Sequence, residues 1–206
     1  MWPRPAGPSR EAIPTPKTPP RTGLYKADGS FVRWIEENPL VASHPFHPYI
    51  ERLRPMEFGT IKAADGQTLH WSMRTPFGFD PKTRYPVIVQ VYGGPAGALV
   101  ERRWETPADQ LLTDAGYILF SIDNRGTPNR SVAFKTAIDR RTGGPDVDDQ
   151  LAGAAFLKSL PYVDGARLGV TGYSGSHLLA QPMPANHSLR LQFQPPALVN
   201  QPWCVT

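Results

Sequence analysis

Apolar and polar positions along this chain change rhythm from short alternating runs to continuous ones. In "GLYKADGSFVRWIEENPL" two β-type runs flank Asp28-Gly29, a pair that tolerates positive φ, and Asn38-Pro39 ends the pattern; this predicts a hairpin. "FGTIKAADGQTLHWSMRTP" repeats the arrangement, with Ile61 before and Leu69 and Trp71 after a turn at Asp65-Gly66. It predicts an antiparallel pair with one solvated face. Between them "HPFHPYIERLRPMEFG" is punctuated by proline and predicts a linker wrapped over a surface.

Further on the apolar runs close up. Val87, Ile88, Val89 and Val91 in "YPVIVQVYGGP" are nearly continuous, as expected of a central strand buried on both faces. "ADQLLTDAGYILFSIDNRG" predicts a helical segment through Leu111 and Leu112, a stop at Gly116 and a second buried strand from Tyr117 to Ile122. "DVDDQLAGAAFLKSLPYVD" opens with acids suited to a helix N-terminus, places Val147, Leu151, Ala154 and Ala155 along one face, and ends before Pro161. "ARLGVTG" supplies a third short strand. Strands alternating with helices predict an α/β fold, a mostly parallel sheet with right-handed crossovers and an antiparallel edge hairpin.

Composition alters the picture at the two ends. Seven of the first twenty residues are proline, which removes backbone donors and leaves little apolar surface, so residues 1–22 are expected to be a disordered Pro-rich segment. After Gly175 the chain has no sustained periodicity, and from Gly165 to Thr206 it holds no Asp or Glu although the whole chain has 18. Residues 176–206 are expected to form a poorly ordered, divergent tail, either through a shift of reading frame or through genuine divergence. The net charge of +4 comes from scattered cations with no run of five or six, which argues against nucleic acid as a partner. The single cysteine, Cys204, excludes an internal disulfide framework and a zinc site built on paired cysteines. No apolar run reaches eighteen residues, and "MWPRPAGPSR" lacks the apolar core of a signal peptide, so neither a membrane partner nor an export signal is expected.

The candidate chemistry sits in "LGVTGYSGSHLL". A serine hydroxyl is a poor nucleophile until a base takes its proton, so a fold that uses one must expose the oxygen and bring a histidine to it. In the nucleophile elbow, Gly-x-Ser-x-Gly, a tight strand-to-helix turn exposes Oγ, and glycines flank the serine because side chains there would collide with backbone. Gly172-Tyr173-Ser174-Gly175-Ser176 matches four of the five positions, directly after the third buried strand, where such an elbow belongs.

"YPVIVQVYGGPAG", "GYILFSIDNRGTPNRSVAF" and "DVDDQLAGAAFLKSLPYVDGARLGVTGYS" together resemble the catalytic domain of the prolyl oligopeptidase family, closest to its dipeptidyl peptidase IV branch. "WIEENPLVASHPFHPYI" and "FGTIKAADGQTLHW" extend the resemblance, which spans roughly residues 24–175. It implies an α/β-hydrolase domain behind a β-propeller, with peptides as substrate, no cofactor or metal, and frequent dimers. Peptides would be cleaved after a penultimate proline or alanine through an acyl-enzyme. Carried over, Ser174 is the nucleophile, the Gly175 amide one oxyanion donor, and the Tyr92 hydroxyl the second. Asp123 and Arg125 in "DNRG" match a family motif and are read as an ion pair or loop anchor. Glu36-Glu37 is not carried over as the family's amine-binding pair, which lies earlier, inside the propeller; a solvated hairpin is the reading.

Beyond Ser174 the chain departs from the family. In α/β-hydrolases the chain order of the triad is Ser, then Asp or Glu, then His, yet none of the 32 residues after Ser174 is acidic. His177 would ride the elbow helix and His187 has no carboxylate to fix its tautomer, so both are read as solvated. The expected organisation is therefore residues 1–22 disordered, 23–58 a hairpin and linker left from the propeller junction, 59–175 an incomplete α/β-hydrolase domain, and 176–206 tail. The expected function is a serine-type exopeptidase in a truncated, inactive form. An esterase or acylaminoacyl peptidase on the same fold, or a Pro-rich interaction module built on "PTPKTPP", are the alternatives.

Overall fold

The computed structural model describes residues 9–12, 18–92, 94–95, 97–104 and 107–172. Two sheets carry the chain. The first is three-stranded and antiparallel in the order β1 (Ser9–Ala12), β2 (Thr22–Tyr25), β3 (Phe31–Glu36). Its β2–β3 hairpin turns at Gly29 with φ +84, as Asp28-Gly29 predicts. Strand β1 corrects the expectation of disorder through residue 22. Between Pro8 and Pro14 five residues keep their N–H groups, and the free edge of β2 pairs four of them, from Ser9 opposite Tyr25 to Ala12 opposite Thr22.

The second sheet has five strands in the order β4 (Glu57–Lys62), β5 (Thr68–Arg74), β7 (Ile118–Asp123), β6 (Tyr85–Val91), β8 (Val163–Gly172). The pairs β4–β5 and β5–β7 are antiparallel, whereas β7–β6 and β6–β8 are parallel. The α/β sheet has the antiparallel edge hairpin that the patterning predicts, and with two antiparallel and two parallel pairs it is mixed where a mostly parallel one is expected. Helix α1 (Pro107–Asp114) connects β6 to β7, while α2 (Val132–Thr136) and α3 (Pro145–Ser159) connect β7 to β8. Strand β4 starts at Glu57, inside the segment expected to be linker, and α2 arises where no helix is predicted. The side chain of Ser131 caps α2 by accepting from the Phe134 amide at 3.2 Å.

Register divides the sheet into two unlike faces. Directly opposed residues point the same way, so Trp71 with Ile122 and Met73 with Phe120 share one face, and Ser72 with Ser121 and Arg74 with Leu119 share the other. The first face also takes Val87, Val89 and Val91 and is covered by α3. The Trp71 indole lies over Gly59, its register partner, and stacks on Phe156 of α3 at 5.3 Å between centroids. A Cβ on Gly153 would stand 3.3 Å from both Phe120 and Ile122, so this glycine lets α3 close on the sheet.

The opposite face is polar and lies under α1. Strand β6 is central, as expected, but its two faces differ in burial: Ile88 and Gln90 are half-buried, Val87, Val89 and Val91 buried. The polar face also explains α1 itself. Its buried positions are Asp109, Gln110 and Thr113, while Leu111 is 66% exposed and Leu112 half-buried. Helix α3 buries Val147 and Ala154 as expected, but Ala155 faces solvent and Gly153 and Leu157 take the inward places.

Candidate active site

The parallel register of β6 and β8 builds the candidate site. Val91 stands opposite Gly172 and Gln90 opposite Thr171. Both strands therefore end together, about 4.8 Å apart, one running into Tyr92 and the other towards Ser174 two positions on. Ser174 and Gly175 lie outside the described residues, as do His177, His187 and Cys204. Tyr92 is described and half-buried.

Two glycines fix where the Tyr92 ring lies. A Cβ on Gly94 would be 2.9 Å from its Cε1 and 3.3 Å from its hydroxyl oxygen, and one on Gly97 would be 3.1 Å from both Cδ1 and Cε1. The ring thus rests against the backbone of Gly94 and Gly97, and a larger residue at either place would push it away. Sequence reasoning singled out Tyr92 and missed this cradle; the glycine spacing in the motif was the available signal.

The backbone that continues from Gly97 is tied to the sheet. Asp123 Oδ1, at the end of β7, accepts the amides of Leu99 at 2.8 Å and Val100 at 3.3 Å. Burial, the largest influence, raises the Asp123 carboxyl above its ordinary range, while the two amides, His70 and Arg130 pull it down. Asp123 is thus a loop anchor, one of the two roles expected for it.

Arg125 takes the other role, an ion pair, with Asp149 as partner. Its amide donates to Asp149 Oδ2 at 2.7 Å, its Nε to both carboxylate oxygens, and its Nη2 to Oδ1 at 2.8 Å. A further Nη1 contact reaches Asp65 in the β4–β5 turn. Asp149 is fully buried, and burial raises its carboxyl while the guanidinium opposes that rise. "DVDD" read as helix N-terminal acids holds for Asp146 and Asp148, which sit in the first turn. Asp149, one step round the helix, points inward and clamps the "DNRG" loop. Glu36 and Glu37 are exposed, in keeping with a solvated hairpin.

Behind the Leu99 loop, a cleft on the polar face is lined by Ser72, Arg74, Gln90, Arg103, Asp109 and Ser121 among others. Gln90 donates to Asp109 at 2.7 Å, and Arg103 approaches the same carboxylate at 3.8 Å. Burial pushes Arg74 down to about 10, with Asp109 opposing that shift. Among the described residues no three His, Cys, Asp or Glu side chains come together as a metal site. Tyr92 stands at the end of β6, next to the end of β8 from which the chain runs on to Ser174.

A mixed sheet with this strand end defines part of an α/β-hydrolase domain. Residues 105–180 match the family described as "Prolyl oligopeptidase family". A "probable dipeptidyl-aminopeptidase B" of Metarhizium robertsii is 29% identical over 81% of this chain and 17% of its own length. Dipeptidyl peptidase 4 of Porphyromonas gingivalis superposes with a TM-score of 0.72 at 28% identity, covering 84% of this chain and 24% of that one. A candidate dipeptidyl aminopeptidase IV from Bacteroides ovatus gives a TM-score of 0.67 at 39% identity with the same coverages. The chain belongs to the prolyl oligopeptidase family, in its dipeptidyl peptidase branch. It spans about a sixth of the length of the curated relatives it matches, 16% and 17% for the first two.

Proposed function

We propose that this chain carries the nucleophile side of a serine-type dipeptidyl peptidase site, which releases Xaa-Pro or Xaa-Ala dipeptides from peptide N-termini through an acyl-enzyme. The observation that supports it is the register of Val91 with Gly172, which brings Tyr92 and the approach to Ser174 to one end of adjacent strands. In this reading Ser174 Oγ attacks the scissile carbonyl, and the Tyr92 hydroxyl and Gly175 amide donate to the oxyanion. Such donors meet charge that develops only in the transition state, and loss of one lowers turnover about 100- to 1000-fold.

As a polypeptide of 206 residues the chain has no turnover of its own in this reading. All 18 acidic residues precede Ser174, the last being Asp164, so these 206 residues on their own offer no later carboxylate to orient a histidine. The test has two arms. The polypeptide should release nothing from an Ala-Pro amide and react with a fluorophosphonate no faster than an ordinary serine does; labelling of Ser174 well above that rate refutes the inactivity. Reading the coding DNA in its other two frames beyond codon 175 decides between a shift of frame and genuine divergence: a frame that supplies a glycine, then an acid and a histidine, encodes an active peptidase. That product should cleave Ala-Pro amides and lose about 100-fold or more on Tyr92→Phe. Cleavage of simple esters without Ala-Pro amides would move the assignment to an esterase.

A further inference from the structure

The loop after β6 is held at three places that form one continuous chain of contacts. Tyr92 lies against Gly94 and Gly97, and the backbone two and three residues beyond Gly97 is fastened to the Asp123 carboxylate. Asp123 is itself immobile: it ends β7, paired in register with His70 of β5. The phenol ring of Tyr92 rests on glycine backbone, so a displacement of Gly94 or Gly97 is passed directly to it. The loop's described segment from Gly97 to Trp104 carries no helix or strand pairing of its own. Its far end is held by Trp104 against Phe46 and by Arg103 near Asp109, and the anchors nearest Gly97 are the two amides on Asp123.

We propose that Asp123 is a positioning residue for Tyr92, acting through the Leu99 and Val100 amides and Gly97 to hold the phenol over the common end of β6 and β8. Its functional meaning rests on the oxyanion reading of Tyr92, but its test reads ring position and not turnover. In the frame-restored product, turnover unchanged by Tyr92→Phe would sink the oxyanion reading and leave the positioning intact.

The experiment is carried out on the full chain labelled with 3-fluorotyrosine, the Tyr92 fluorine resonance being assigned by its disappearance in Tyr92→Phe. Amide hydrogen exchange of Leu99 and Val100 is measured in parallel. Asp123→Ala should speed exchange at both amides at least tenfold and shift or broaden the Tyr92 resonance. Asp123→Asn keeps an acceptor oxygen in place and should leave both readouts within about twofold of the parent. If Asp123→Ala does not fold, Asp123→Ser, whose shorter hydroxyl falls short of the amides, replaces it in the comparison with Asp123→Asn. Gly97→Ala should displace the Tyr92 resonance while the two amides stay protected, because the disturbance enters on the ring side of the clamp. The proposal requires ring and amides to move together across the Asp123 series. Within the Asp123 variants, amides released with the Tyr92 resonance unchanged, or the resonance moved with the amides still protected, overturns it.

Discussion

Asp123 is drawn in two directions, since burial favours its neutral form and two amides favour its charge. Burial prevails, so the folded chain binds this proton more tightly than the unfolded chain does. Stability from this group therefore rises as pH falls through its raised folded-state value and levels off below the ordinary value of 3.8. That is opposite in sign to a carboxylate held by a salt bridge. The groups facing it, His70 and Arg130, are the same in Asp123→Asn. Urea midpoints of the parent and of Asp123→Asn should therefore converge or cross in favour of the parent as pH drops from 7 towards 4. A gap that widens against the parent on acidification contradicts the assignment. At this scale the sequence showed which residues matter and not whom they meet. "DNRG" marked Asp123 and Arg125 as strand-end anchors, but their partners lie 24 residues away in each case, at Leu99 and Asp149. Spacing along a chain does not encode such distant meetings.

The two faces of the larger sheet differ in what holds them. Under α3 the contacts are aromatic and aliphatic, centred on Trp71, Phe120 and Phe156. Under α1 they are hydrogen bonds and ion pairs. Trp71→Ala should lower stability by about 3 kcal/mol, because neighbours on two strands and a helix lose their packing partner at once. Leu111→Glu should change it by less than about 0.5 kcal/mol, since that side chain already stands in water. Denaturant unfolding of both variants checks the pair, and a large loss from Leu111→Glu would mean that α1 is turned the other way. The strand and helix order was legible from hydrophobic runs, down to the stop at Gly116, which has φ +87. The facing of α1 was not, because its inward side is polar and an apolar-periodicity reading assigns the leucines to the core. Strand β1 was hidden for another reason: four residues between prolines acquire strand geometry only from the edge they pair with.

Across the whole molecule, order is unequally distributed. The three-stranded sheet exposes Phe31, Val32 and Ile35 at 45–48% and buries no large side chain on β2 or β3, while β7 is buried on both faces along almost its whole length. Backbone amides in β2 and β3 should exchange at least about a hundredfold faster than those in β7, reporting local opening of the first sheet. Equal protection would show that something covers it. The family and its domain were readable from five separate motifs in order; the relation of Ser174 to its partners was not, because the residues after it lack both periodicity and carboxylates. One last consequence concerns synthesis. Strand β6 takes its neighbours from later in the chain on both sides, and Leu168 of β8 comes 81 residues after its partner Val87 (168 − 87). At about 5 to 20 residues per second on the ribosome, β6 waits some 4 to 16 seconds for β8 to emerge. Until then a run of valines at the heart of the sheet has an open flank, so mispairing of β6 is the hazard of this order of synthesis.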